Sequence, residues 1–191
     1  MRRILTGLVL ILMLPGGAAA GPYDDGMAAY QRGDYSTALR LWQPLAEQGD
    51  AQAQHGLAVL YIAGQGVPQN YVEGVKWFRL AAEQGIINAQ GILGGMYARG
   101  RGVPQDYAEA VKWYRLAAEQ GDALAQFNLG VTYENGQGVP QDYVQAHMWV
   151  NLAAATTGWD EAIEARKRIG ASMTPQQIDE AQKLAHEWKP K

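Results

Sequence analysis

Hydrophobic positions along this chain fall into two alternating helical stripes. Ala53, Leu57 and Tyr61 stand at i, i+4 and i+8, one side of a helix that turns about 100° per residue. A second stripe starts at Tyr71 and runs through Gly74, Val75, Phe78, Ala81 and Ala82. Gly64 and Gly66 break the first helix, and Pro68 blocks an early restart. Asn70 then stands where a short side-chain oxygen caps the free N–H groups of a new helix. Gly85 and Gly121 end the second helices in the left-handed cap position, and Asp50 and Asp122 open the helices that follow Gly49 and Gly121.

The pattern repeats every 36 residues. Tyr61, Gly64, Gly66, Val67, Pro68 and Tyr71 recur as Tyr97, Gly100, Gly102, Val103, Pro104 and Tyr107, and again as Tyr133, Gly136, Gly138, Val139, Pro140 and Tyr143. Trp77, Trp113 and Trp149 keep the same step, as do the capping positions Asn70, Asp106 and Asp142. Three full units therefore run over 50–160. A single hairpin of this kind cannot bury its apolar side, so the units must stack. The expected fold is all-α: an α/α superhelical solenoid of about five helix pairs over 21–188. Gly74, Ala110 and Ala146 share one repeat position and leave room for a neighbouring helix.

Both ends are altered copies. Tyr30 to Tyr35 is the same joint with five residues deleted, which predicts a tighter first hairpin over 24–49. At the other end, 161–188 predicts two capping helices. The first is expected over Trp159 to Met173; Thr174 and Pro175 open the second as N-cap and first helical residue. That last helix carries Ile178, Ala181, Leu184, Ala185 and Trp188 on one side and polar residues on the other.

The first twenty residues follow another logic. Arg2 and Arg3 precede an apolar run from Ile4 to Leu14, and small residues close at Ala18-Ala19-Ala20. This is the layout of a cleavable secretory signal, cut after Ala20. The apolar run is too short to span a bilayer core of about 30 Å. A retained anchor is the alternative. The expectation is a periplasmic or secreted protein with no integral membrane span after cleavage. Loss of Arg2 and Arg3 leaves 14 basic and 19 acidic residues, a net charge of −5. That balance lacks the basic patch of a nucleic-acid binder. Cysteine is absent, so the fold must be held by packing without disulfides.

Catalytic chemistry finds little support. The two serines, Ser36 and Ser172, begin no Ser-x-x-Lys and sit in no Gly-x-Ser-x-Gly. His55, His147 and His186 are widely separated and lack metal-ligand spacing. Gly64-Gln65-Gly66 follows a helix instead of a strand and recurs at the repeat step, so it is a joint, not a phosphate loop. Glu83-Gln84 and Glu119-Gln120 recur at helix ends as solvated positions. No enzyme activity, metal or cofactor is expected.

The Tyr-x-x-Gly-x-Gly-Val joint, the Asp/Asn-Tyr start, the Ala-x-x-Trp segment and the Ala-Ala-x-x-Gly close resemble the Sel1-like repeat family, a branch of the tetratricopeptide-type solenoids. The resemblance covers three clear units over 50–160, and 24–188 with the degenerate ends. It implies a right-handed superhelix and a scaffold or adaptor role; exported bacterial members are tied to envelope assembly, secretion or host contact. Some cysteine-rich secreted relatives have been described as penicillin-binding or β-lactam-hydrolysing, which gives an alternative: an envelope enzyme or cell-wall ligand binder. This chain departs from that subgroup in having no cysteine.

In such solenoids the first helices line the concave groove. Here His55, Val59 and Ile62 point roughly opposite the Ala-Leu-Tyr stripe, and Gly91, Gly95, Ala98 and then Phe127, Val131, Glu134 follow at the repeat step. The mixture suits a protein or peptide partner laid into a groove; the alternative is packing against the adjacent unit. Arg99 and Arg101 beside one joint are candidates to hold a carboxylate, or simply solvated charges.

Overall fold

The computed structural model describes residues 21–191. The secretory leader expected over 1–20 lies outside them. Ten helices follow in order: α1 Pro22–Gln31, α2 Tyr35–Glu47, α3 Ala51–Ala63, α4 Tyr71–Glu83, α5 Ile87–Arg99, α6 Tyr107–Glu119, α7 Ala123–Asn135, α8 Tyr143–Thr157, α9 Asp160–Gly170 and α10 Pro175–Glu187. Each of α2 to α9 packs on its predecessor, which makes the stack. Asn70, Asp106 and Asp142 each accept two backbone N–H groups at the start of α4, α6 and α8, as expected. Asp50 and Asp122 cap α3 and α7 by accepting one backbone N–H each, from Ala53 and Ala125, while Ile86 at the start of α5 offers no side-chain cap.

The joint explains both its length and its glycines. Gln69, Gln105 and Gln141 donate to the free carbonyls of Ile62, Ala98 and Glu134 at the end of each first helix. Gly66, Gly102 and Gly138 rest against the backbone of Tyr35, Tyr71 and Tyr107, at the start of the preceding unit's second helix. Each joint is thus a bracket between layers. Among the described residues no layer precedes the first hairpin, and its joint lacks the five residues that form the bracket elsewhere.

Apolar burial follows the two stripes. Ala53, Leu57, Ala89, Leu93, Ala125 and Leu129 are buried in the first helices, and Ala81, Ala117 and Ala153 in the second are wholly covered. A polar ladder runs through this core. The Nε2 groups of Gln54, Gln90 and Gln126 donate to the carbonyls of Ala46, Ala82 and Ala118 in the layer before. Gln84 and Gln120 then donate to Oε1 of Gln54 and Gln90, both at 2.8 Å. Those two glutamines are ladder rungs, Gln84 keeping the exposure expected of it and Gln120 half-buried. At the third step Thr156 bonds its own helix, and Gln126 Oε1 is left buried without a partner.

The C-terminal end differs from a simple cap. The helix expected over Trp159 to Met173 is shorter, because Ala171, Ser172 and Met173 turn back on its last carbonyls. Thr174 and Pro175 start α10 as N-cap and first helical residue, as expected, and Gln177 completes a capping box. Yet α10 lies along α8 rather than forming a hairpin with α9. Ala181, Ala185 and Trp188 join the core of α6, α7 and α8, and Trp188 meets Trp149 edge to face. Lys191 reaches the end of α6, where its Nζ pairs with Glu119 at 2.7 Å. Glu119 is therefore tied, not free in solvent. The repeat sequence accommodates this: Lys76 and Lys112 in α4 and α6 give way to Met148 in α8, which is buried. Among the described residues no helix is long and apolar enough to cross a membrane.

Candidate functional site

The first helices α3, α5 and α7 are each covered on two sides, by their own second helix and by the second helix of the unit before. The remaining arc is open, and three depressions lie along it. The first, of about 140 Å³, is lined by Tyr23, Met27, Tyr30, Trp42, His55 and Val59 among others. The second, of about 300 Å³, shares His55 and Val59 and extends over Asn88, Ile92, Asp122 and Leu124. The third, of about 250 Å³, shares Leu124 and adds Phe127, Trp159 and Glu161. Shared residues join them into one trough running from α1 to α9.

Its floor is firm at the first unit. The Trp42 ring sits between Gly26 and Gly56, and a Cβ on Gly56 would lie 2.7 Å from the indole. Trp42 Nε1 donates to the Tyr23 carbonyl at 3.1 Å. His55 stands edge-on to Phe78, 5.5 Å between ring centres, with Nε2 buried and unpartnered. Burial pushes its imidazole below the ordinary histidine range.

The eight residues singled out in the sequence divide. His55 and Val59 line the trough. Phe127 lines it too, but is half-buried and packs against the core of α8 and α9. Ile62 turns into the hairpin, where Gly74 leaves it room, and joins the core of α4 and α5. Val131 is half-buried and lies outside the trough lining. Glu134 is gripped by Arg168 of α9 through two parallel hydrogen bonds of 2.9 and 2.7 Å, so its charge is already matched. Arg99 is exposed, yet its guanidinium folds over Gly95, filling the space a side chain there would take. Arg101 is exposed and stands apart from the trough.

Most of the trough lining was missed, including its exposed apolar residues Ile92, Leu124 and Trp159. These residues remain 39%, 56% and 40% exposed, and gathered in one trough they give it an apolar lining on the first-helix side. The expected stripe was set opposite the buried residues of one helix. With two covering neighbours, the open arc narrows and rotates toward positions 52, 55 and 56 of the repeat. Position 62 is lost to the hairpin interior. Leu124 at the first turn of α7, three residues before Phe127, was the available signal. Among the described residues, no cluster of three His, Asp or Glu side chains is placed to hold a metal ion.

A model of the Sel1 repeat matches residues 20–50, 51–86, 87–122 and 123–155, the four units α1–α2 to α7–α8. A Sel1 repeat protein from Oxalobacter formigenes is similar in structure, with 33% identity and a TM-score of 0.70 over 81% of this chain and 62% of that one. So is c5321, a protective antigen present in uropathogenic Escherichia coli strains and displaying an SLR fold. It shows 29% identity and a TM-score of 0.62 over 87% of this chain and 44% of its own. The chain spans less than two thirds of either protein's length. Among proteins with curated descriptions, none matches.

Proposed function

The chain belongs to the Sel1 repeat family, and from that premise we propose that it is an exported adaptor which holds a protein or peptide along the trough of its first helices. A solenoid of stacked hairpins offers an extended surface of the kind such partners use. The observation that carries the reading is the line of half-open apolar side chains, Ile92, Leu124 and Trp159, interleaved with His55, Asn88, Asp122 and Glu161. Apolar anchors with polar groups between them suit an amphipathic helix or extended segment. Export is supported by the basic, apolar and small-residue layout of 1–20. It is tested by cell fractionation and by N-terminal sequencing, which should read from Gly21.

The trough is tested with Ile92→Glu and Leu124→Glu. Both positions are exposed, so each variant should keep the wild-type unfolding free energy within about 0.5 kcal/mol. Each should lose the partner that co-purifies with the wild type. Retention of that partner by the double variant sinks the assignment.

A further inference from the structure

The third regular unit breaks the repeat pattern where α10 lands on it. Val75 and Val111 are followed at the same step by His147, Arg79 and Arg115 by Asn151, and Glu83 and Glu119 by Ala155. His147 is 5% exposed, and its Nδ1 has no hydrogen-bond partner. Valine fills this core position twice, so packing does not require an imidazole there. An unpaired buried polar atom is also costly.

His147, Asn151 and Ala155 form one wall of a cavity of about 590 Å³ between α8, α9 and α10. The cavity exists because α10 lies on α8 instead of closing against α9. From α9 comes Arg166, whose Nη1 donates to Asn151 Oδ1 at 2.8 Å. From α10 come Gln182 and His186. No carboxylate lines the space. Lys167 and Arg168 are paired with Glu164 and Glu134, whereas Arg166 is in no ion pair among the described residues. A guanidinium has five N–H donors, so most of this one's remain available. The volume lies in the range of about 300–1,000 Å³ typical of small-molecule sites.

We infer that this cavity binds a small carboxylate-bearing molecule. Arg166 takes the carboxylate, the amides of Asn151 and Gln182 and the imidazole of His186 supply further hydrogen bonds, and Leu152 and Ala185 cover an apolar remainder. A planar carboxylate matches the guanidinium fork. Its single charge also matches the one arginine that lines the space, where a phosphate dianion would be left half-compensated. The replacement of Glu83 and Glu119 by Ala155 removes the charge that would repel such a ligand. This site lies apart from the trough and stands or falls independently of it.

The chain's three histidines make the test direct, because His147 and His186 line the cavity while His55 lies in the trough. N-acetylalanine is titrated into the purified protein while the three imidazole NMR signals are followed. N-acetylalaninamide, equal in shape but uncharged, and inorganic phosphate are the comparison probes. Saturable shifts of His147 and His186 with the acid, and not with the amide, are expected, with His55 unmoved. Arg166→Gln should weaken binding about ten- to a hundredfold, the worth of a charge-assisted hydrogen bond. Gln182→Glu, at an exposed position that the fold does not need, should weaken it as strongly by repulsion. The inference is overturned by any of three results: no saturable shift with the acid, equal shifts with the amide, or binding that survives Gln182→Glu. Tighter binding of phosphate than of the acid overturns the carboxylate assignment.

Discussion

Replacing Gly102 with alanine should cost far more than an ordinary loop substitution. Gly102 has φ +74, and a Cβ there would fall 2.6 Å from the carbonyl carbon of Tyr71. Two costs add. Holding alanine at positive φ costs about 1–2 kcal/mol. Relieving the clash requires the joint to lift off the start of α4, since backbone cannot rotate away as a side chain can; overpacking of this kind costs about 1–3 kcal/mol. The sum is about 2–5 kcal/mol. Gly85 supplies the control, with φ +89 but nothing within 4 Å of its Cβ position. Gly85→Ala should therefore show the conformational cost alone, about 1–2 kcal/mol. Urea unfolding followed by tryptophan fluorescence and far-UV circular dichroism measures both. In a stack whose units touch only their neighbours, lifting one bracket weakens one layer contact. Gly102→Ala should therefore also broaden the transition, as α1–α4 and α5–α10 begin to unfold separately. Equal costs for the two variants would refute the bracket role.

Three further outcomes follow from the core. Thr156→Gln should complete the ladder by donating to the orphaned Oε1 of Gln126, stabilising the protein by about 1 kcal/mol in the same urea titration. Met148→Lys restores the residue of the earlier units beneath α10. It should undock that helix, seen as faster hydrogen exchange and proteolysis over 171–191, while α1–α6 stay protected. Burial lowers the pKa of His55 and of His147, so on acidification the unfolded chain takes up protons before the folded one does. The stability conferred by the neutral imidazoles is present above the ordinary histidine pKa and lost as pH falls below it. Tm should therefore drop between about pH 7.5 and about 5.5, and drop less in His147→Val.

The joint, the caps and the repeat step were legible because each rests on local chemistry. Glycine at positive φ, Asp or Asn at an N-cap and Pro after a helix act within a few residues. The buried stripes were legible for the same reason, since helical periodicity alone sorts Ala53 and Leu57 from their neighbours. The trough was legible only in part. His55 and Val59 fell within it, but Ile62, Glu134 and Arg99 answer to Gly74, Arg168 and Gly95, contacts that the one-helix projection did not contain. The docking of α10 was written as a loss of charge, in Met148, Asn151 and Ala155, yet that loss has meaning only once the covering helix is known. The polar ladder stayed hidden because a glutamine at a helix end gives no sign in sequence of the buried glutamine that the first helix of its own hairpin places beside it.

The binding role of the trough is tested most directly by photo-crosslinking in the producing cell. A photoreactive residue is placed singly at Ile92 and Leu124 in the trough, and at Leu80 and Leu116, equally exposed apolar positions on the second helices. One discrete adduct, shared by 92 and 124 and absent from 80 and 116, is the expected result. Adducts confined to 80 and 116 would move the partner to the opposite side of the stack and contradict the assignment.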